Sequence, residues 1–371
     1  MNPIRDHHNH VSLYAALGGA IDLSGARSEN EALDLLSGFD RAAVTVAIGW
    51  HGGRYGFTAS RLDAFPPLVV VNVSLHGFVL NRAAEAALGP TFPGIVRHWR
   101  DPLWCETRLP QILVFLTRTA GIDAGKLAAF MASMAAMGVD RVDDMLIPGE
   151  SFLDLVDGSP FAGRIRSWAS PEVFAGLGPR GRDRVDGVKL FADGALGMRT
   201  AALAAGYPDG SAGLLVHSDA GLEAALRRAA ASAKAVSVHA IGDRALAQVV
   251  TVLEQLSGEG CALPRLRIEH AQFIDCPLAV RARRLGVTLS MQPNFSSDSE
   301  DYADRLSETQ RRANNPFRML IDEVGYRPGE DLLFGSDGMP HGRLSALRAC
   351  LGPPYESQRL SLDEFRAGYG G

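Results

Sequence analysis

Four histidines, one lysine and one aspartate in this chain fall where a metal ion could be held. The opening run DHHNH carries His8 and His10. Along a strand, residues two apart point to one face, so these imidazoles can bind one ion together while His7 and Asn9 turn away. His239 ends the run AVSVH, His270 ends LRIEH, and Asp337 ends LLFGSD. Imidazole and carboxylate suit zinc, iron, nickel or manganese about equally, so the donor types leave the metal open. Lys189 stands in VKLF, between Val188 and Leu190. Lysine is almost never fully buried unpaired, so a buried ion pair with Asp193 or Asp337 is one account of it. Each signal alone has a structural reading: a strand histidine as a satisfied core residue, Asp337 as a turn residue or helix cap. The ordered set, the H-x-H pair and then Lys189, His239, His270 and Asp337 each on a further strand, favours a shared centre.

The elements that must carry these residues alternate in type. From about residue 126 onward, short apolar runs alternate with helical patterns. KLAAFMASMAAMG sets Leu127, Phe130, Met131, Met134 and Met137 at spacings of three and four, a helix face expected to pack into the core. VDRVDDMLI, AGRIRSWAS, VDGVKLFADG, AVSVHAIGD, LRIEHAQF, GVTLSMQP and DLLFGSDG read as strands. LEAALRRAAASAKA and ALAQVVTVLEQL read as helices between them. With the strand containing HHNH, eight candidates result, and eight parallel strands close into an α/β (β/α)8 TIM barrel. An open doubly wound sheet is the alternative, but no G-x-G-x-x-G follows the first strand. In a barrel the C-terminal strand ends form the site, and that is where the six residues lie. Residues of about 20 to 125 break the rhythm and read as a long insertion between strands 1 and 2 of a single domain spanning 1–371. Within it, Ser28 and Glu31 suggest a capping box, and AVTVAI and PLVVVNV are short apolar runs.

Composition bounds the function. Hydrophobic residues make up 46% and charged residues 21%, enough for a large core, and the net charge of -5 calls for neither nucleic acid nor an anionic membrane. Cys105, Cys261, Cys276 and Cys350 are scattered, with no C-x-x-C pair, so a reducing cytoplasm fits best. The N-terminus lacks the apolar core of a signal peptide, and no apolar run is long enough to span a membrane.

The motifs D-x-H-x-H (Asp6, His8, His10), VKLFADGALG, VHAIGDRA, IEHAQ, SMQPNF and GSDGMP together resemble the metal-dependent amidohydrolase superfamily. IDLSGARSENEAL is similar to its amidohydrolase-3 branch, which includes N-substituted formamide deformylases. The resemblance covers roughly residues 6 to 370. It implies one or two divalent ions, zinc first and manganese, iron or nickel next. His8 and His10 would hold one ion and His239 and His270 the other, with Asp337 completing the first. It also answers the lysine. A buried, neutral Lys189 amine can take up CO2 and become a carbamate that bridges two ions. The implied reaction is hydrolysis of a C–N bond in an amide, formamide or cyclic amide by a metal-activated hydroxide, with Asp337 as general base and then acid. His76 is a candidate for polarising the carbonyl or touching substrate, and His341 for lining the mouth. Arg199 and Arg244 are candidates for a substrate carboxylate, and Asp193, Asp243 and Gln292 for orienting ligands. Esters, lactones or phosphoesters are alternative substrates for the same site, and a non-catalytic metal-binding barrel is a third reading. Relatives usually carry a small β-sandwich built from both chain ends. This sequence shows neither segment, so either the flank is adapted or another subunit covers it, a homodimer being one such arrangement. The expected partner is a small-molecule substrate.

Overall fold

The computed structural model describes residues 4–38, 43–73, 75, 77–338 and 343–370. The chain divides into two compact units, residues 12–130 and the remainder, 1–11 with 131–371.

The larger unit is a (β/α)8 barrel. Its strands are β1 (Ile4–Asn9), β2 (Val139–Asp144), β3 (Ile165–Ala169), β4 (Gly187–Phe191), β5 (Ala235–Ala240), β6 (Arg265–His270), β7 (Thr288–Met291) and β8 (Leu332–Phe334). They lie in sequence order in one eight-stranded sheet. Every neighbouring pair is parallel. Parallel strands covered on both faces read as continuous apolar runs. GVKLF and AVSVHA are buried at every position, and this is why a lysine and a histidine inside them stand out. Backbone bonds tie the first strand to the segment after the last one and to the end of the C-terminal helix Leu362–Gly368. The Asp337 N–H donates to His8 O at 2.7 Å, and the Arg5 N–H to Tyr369 O at 2.8 Å.

Helices cover the outside. Asp243–Gly258 turns Leu246, Val249, Val250, Leu253 and Leu256 inward, all buried. The methionine stripe is also core, with Leu127, Met131 and Met134 buried. The helix read from LEAALRRAAASAKA forms as Asp219–Ala230, capped by Ser218. It stops short of the predicted end because β5 begins at Ala235 and the intervening residues must turn. Among the described residues, no helix is long and apolar enough to cross a membrane.

The smaller unit has its own four-stranded sheet of Ile21–Asp22, Thr45–Trp50, Leu68–Asn72 and Phe78–Leu80. The first three strands are parallel and the last is antiparallel. Leu23, Leu33, Ala47, Leu62 and Val70 form its core. The expected capping box is only half formed. Ser28 accepts from the Glu31 N–H at 3.3 Å, but Glu31 reaches back to the Arg27 N–H at 2.8 Å instead of the cap's own.

Candidate metal centre

The first cluster sits where β1 meets the loop after β8. The Nε2 atoms of His8 and His10 each lie 3.2 Å from the same oxygen, Oδ1 of Asp337. Two features fix this meeting. Gly335 allows the strands to close, since a Cβ there would lie 2.3 Å from His8 N. The buried Asp6 carboxylate then joins both sides, accepting from His8 N–H at 3.1 Å, Asn9 Nδ2 at 2.9 Å, Ser336 N–H at 2.9 Å and Ser336 Oγ at 2.5 Å. Asp337 adopts φ 58°, a left-handed conformation rare outside glycine, as residues at functional sites often do.

The second cluster comes from β5 and β6. The His239 and His270 ring centroids are 4.5 Å apart, and those of His8 and His270 are 4.8 Å apart. Strict alternation would turn Glu269 and His270 to opposite faces. A φ of 71° at His270 breaks that rule, so both reach His8. Each ring is oriented from behind: His270 Nδ1 lies 2.6 Å from Gln292 Oε1, and His239 Nε2 lies 3.0 Å from Gly194 O. Asp193 braces the same loops, accepting from the N–H groups of Ala202, Ile241 and Gly242 at 2.8–3.0 Å. Burial still pushes its carboxyl up to about 7, against those three donors. Asp243 holds only backbone, the N–H groups of Ala204 and Arg244.

Lys189 completes the group. It is 1% exposed, and its Nζ has no hydrogen-bond partner among the described residues. It lies 5.4 Å from the centroid of the Phe191 ring, which in turn stacks on His239. The buried ion pair with Asp193 or Asp337 is not formed. Burial lowers the amine to about 8, Glu269 works upward, and Arg267 pulls it down further. An unpaired, readily deprotonated amine next to imidazoles is what a carbamate-forming lysine requires.

The charges favour cation donors. Burial, then Lys189, takes His239 down to about 3, and burial with His239 and His8 holds His270 well below the usual imidazole range. Both rings are therefore neutral. Burial opposes ionisation of Asp337, but His8 and His10 outweigh it and hold the carboxylate well below its usual range. The donor atoms of His8, His270 and Asp337 all lie within 4.8 Å of one another. Two neutral imidazoles, two more beside a carboxylate, and a buried amine fit a divalent transition-metal centre.

Beneath the centre runs a polar layer that was not read from the sequence. Glu269 accepts from Ser237 Oγ at 2.6 Å and from Arg267 Nη2 at 3.1 Å, and it meets His8 Nδ1 at 2.6 Å. Arg267 also donates to Asp143 at 2.9 Å, and Asp143 accepts from Arg5 at 3.1 Å. Burial disfavours the Glu269 charge, yet Arg267, Lys189 and His8 keep it ionised. The signal was present in RLRIEH, where Arg267 and Glu269 share a face of one strand. A single sequence does not say that this face is the interior.

His76 and His341 lie outside the described residues. Arg199 faces Asp209 at 3.4 Å and Asp304 at 3.8 Å, and Arg244 donates to Gly213 O at 3.2 Å, so both already have partners on neighbouring segments.

Comparison with known proteins places this geometry. The sequence model described as the Amidohydrolase family matches residues 114–347. YtcJ of Bacillus subtilis (strain 168) is 37% identical over 139 residues, 37% of this chain and 26% of that protein. LONG AFTER FAR-RED 3 of Arabidopsis thaliana is 31% identical over 134 residues, 35% of this chain and 23% of that protein. The chain thus spans about a quarter of the curated relatives it matches. An uncharacterized metal-dependent hydrolase from Pyrococcus furiosus has a TM-score of 0.74 at 23% identity, over 100% of this chain and 81% of that one. A similarly described protein from Pyrococcus horikoshii OT3 gives 0.74 and 23%, over 100% and 80%. These two share the fold.

Proposed function

Because the chain belongs to the amidohydrolase family, we propose that it is a metal-dependent hydrolase that cleaves a C–N bond in an amide, formamide or cyclic amide. The observation that carries this reading is the meeting of His8, His10, Lys189, His239, His270 and Asp337 at one rim of the barrel. His8 and His10 with Asp337 are assigned to one ion, His239 and His270 to a second, and a Lys189 carbamate to both. Zinc is the first choice, with manganese, iron or nickel as substitutes. When bound, the metal acidifies water and polarises the scissile carbonyl.

The remaining work falls to the chain. Lys189, neutral above about 8, attacks the carbon of CO2 with its nitrogen lone pair and gives up one N–H proton to solvent, forming a carbamate anion. Asp337 stands between two imidazoles with its carboxylate ionised, ready to accept a proton from the attacking water. The same carboxyl then gives that proton to the leaving nitrogen as the C–N bond breaks. His76 is assigned to the substrate carbonyl. Phe295, parallel to the His270 ring at 6.0 Å, and Phe191, stacked on His239 at 5.0 Å, help keep bulk water off the rings. The four unpaired cysteines support a reducing, cytoplasmic setting for this chemistry.

The test is reconstitution of metal-free protein with zinc or manganese plus bicarbonate. It is then assayed on formamides, N-acyl amino acids, lactones and a phosphotriester. Metal-dependent cleavage of the amide class is expected. Cleavage of lactones or the phosphotriester alone would overturn the C–N assignment, and protein that neither binds metal nor hydrolyses anything would overturn the whole.

A further inference from the structure

The charged layer under the centre has an order. Arg5, Asp143, Arg267 and Glu269 are all buried, and they touch in that sequence, at 3.1, 2.9 and 3.1 Å. The row alternates in sign and ends negative against His8, whose Nδ1 is 2.6 Å from Glu269. We infer that Glu269 is a positioning residue that makes the His8–His10–Asp337 position the first and tighter cation position of the centre. The inference rests on the proposed function, since it concerns ions at that centre.

The argument is a comparison of what stands behind each imidazole. His8 gives its Nδ1–H to a carboxylate, a charge-assisted bond that fixes the tautomer and raises electron density at Nε2. His270 has a neutral amide behind it, Gln292, and His239 a backbone carbonyl, that of Gly194. His10 Nδ1 has no partner among the described residues. Among the described residues, only His8 makes a short bond to a carboxylate, at 2.6 Å; His239 Nε2 also faces Asp193 Oδ1, but at 3.4 Å and against an oxygen that already accepts from the Ile241 N–H. His8 shares its position with the side chain of Asp337, whose Oδ1 lies 3.2 Å from His8 and His10 alike. Behind the His239–His270 position stand an amide, a backbone carbonyl and, farther off, the Asp193 carboxyl, whose oxygens are shared among three backbone N–H groups.

Nor does the row need the metal to balance itself. It holds two arginines and two acids, so its charges cancel while its negative end faces the centre. Ser237 Oγ, 2.6 Å from Glu269 Oε1, holds the carboxylate in place without adding charge.

Titration of metal-free protein with cobalt(II) in bicarbonate, read by visible absorption and calorimetry, tests this without any substrate. The wild type is expected to fill in two steps. Glu269→Gln should weaken the tighter step about 10–100-fold, the usual size of such partner effects, and leave the weaker step in place. Gln292→Leu should weaken the looser step alone. A Glu269→Gln protein with the tighter step unchanged, or with both steps weakened equally, overturns the inference and leaves the proposed function standing. Wild-type protein that takes up no cobalt overturns both. If melting curves show Glu269→Gln unfolded, Ser237→Ala carries the test. It should weaken the tighter step by a smaller factor, and an unchanged step in the folded variant overturns the inference.

Discussion

The backbone N–H of Asp337 donates to the carbonyl oxygen of His8 over 2.7 Å, so one bond both joins the ends of the barrel sheet and sets a carboxylate beside a histidine. Fold closure and site assembly are the same event here. Gly335 is the residue that permits it, because an added Cβ would lie 2.6 Å from His8 Cβ as well as 2.3 Å from its nitrogen.

Gly335→Ala should therefore cost stability and metal together. Overpacking of this kind costs roughly 1–3 kcal/mol. The neighbour that must give way is strand backbone, so the pair His8–Asp337 separates. Thermal melting and metal content check this, and a variant matching wild type in both would show that the strand ends do not depend on this approach.

Lys189→Met should stabilise the metal-free protein while removing its capacity for metal. The amine falls from 10.5 to about 8 in the folded chain, which corresponds to about 3 kcal/mol. The sign follows from proton counts. Between about 8 and 10.5 the unfolded chain holds the proton that the native one has lost, so native stability rises with pH across that window. Below about 8 the cost of the buried ammonium is present in full. The methionine variant should thus gain about 3 kcal/mol at pH 7, with the gain fading towards pH 10.5. Denaturant melts of metal-free protein at several pH values measure it. Equal stabilities at pH 7 would mean that the lysine is already relieved by a partner.

Asp337→Asn keeps an oxygen beside His8 and His10 but removes the proton acceptor. Turnover should fall about 10²–10⁴-fold, the usual share of general acid–base catalysis, with little change in KM or melting temperature. Near-wild-type turnover would assign proton transfer to another group.

The cysteines should divide two and two. Cys105 and Cys350 are buried, and burial pushes the Cys105 thiol up to about 11 and that of Cys350 higher still. Cys261 and Cys276 keep partial exposure. Alkylation of native protein at pH 8, read by mass spectrometry, should modify the second pair first, because the thiolate is the reactive form. Rapid labelling of Cys350 would show the terminal part of the barrel to be open.

Much of this was legible in the sequence because parallel barrel strands advertise themselves. A strand buried on both faces leaves no room for a stray histidine, so His239 and His270 at the ends of AVSVH and LRIEH were conspicuous. Lys189 was conspicuous for the same reason. Glu269 and Arg267 were not, because a charged residue on a strand normally reads as solvent-facing, and only the assembled barrel shows that this face points inward. The left-handed turn at His270 had no sequence signal either, since that conformation is normally marked by glycine. In the smaller unit, AVTVAI and PLVVVNV correspond to the strands Thr45–Trp50 and Leu68–Asn72. Their neighbours Ile21–Asp22 and Phe78–Leu80 are only two and three residues long, too short for any period to show.

The central claim is that six side chains hold divalent metal at one rim. Anomalous diffraction from zinc-loaded crystals measures this most directly. The account predicts peaks bonded to His8, His10, His239, His270 and Asp337, with added density on the Lys189 amine between them. Peaks bound to other residues, or none at this rim in protein that is folded and zinc-saturated, would contradict it.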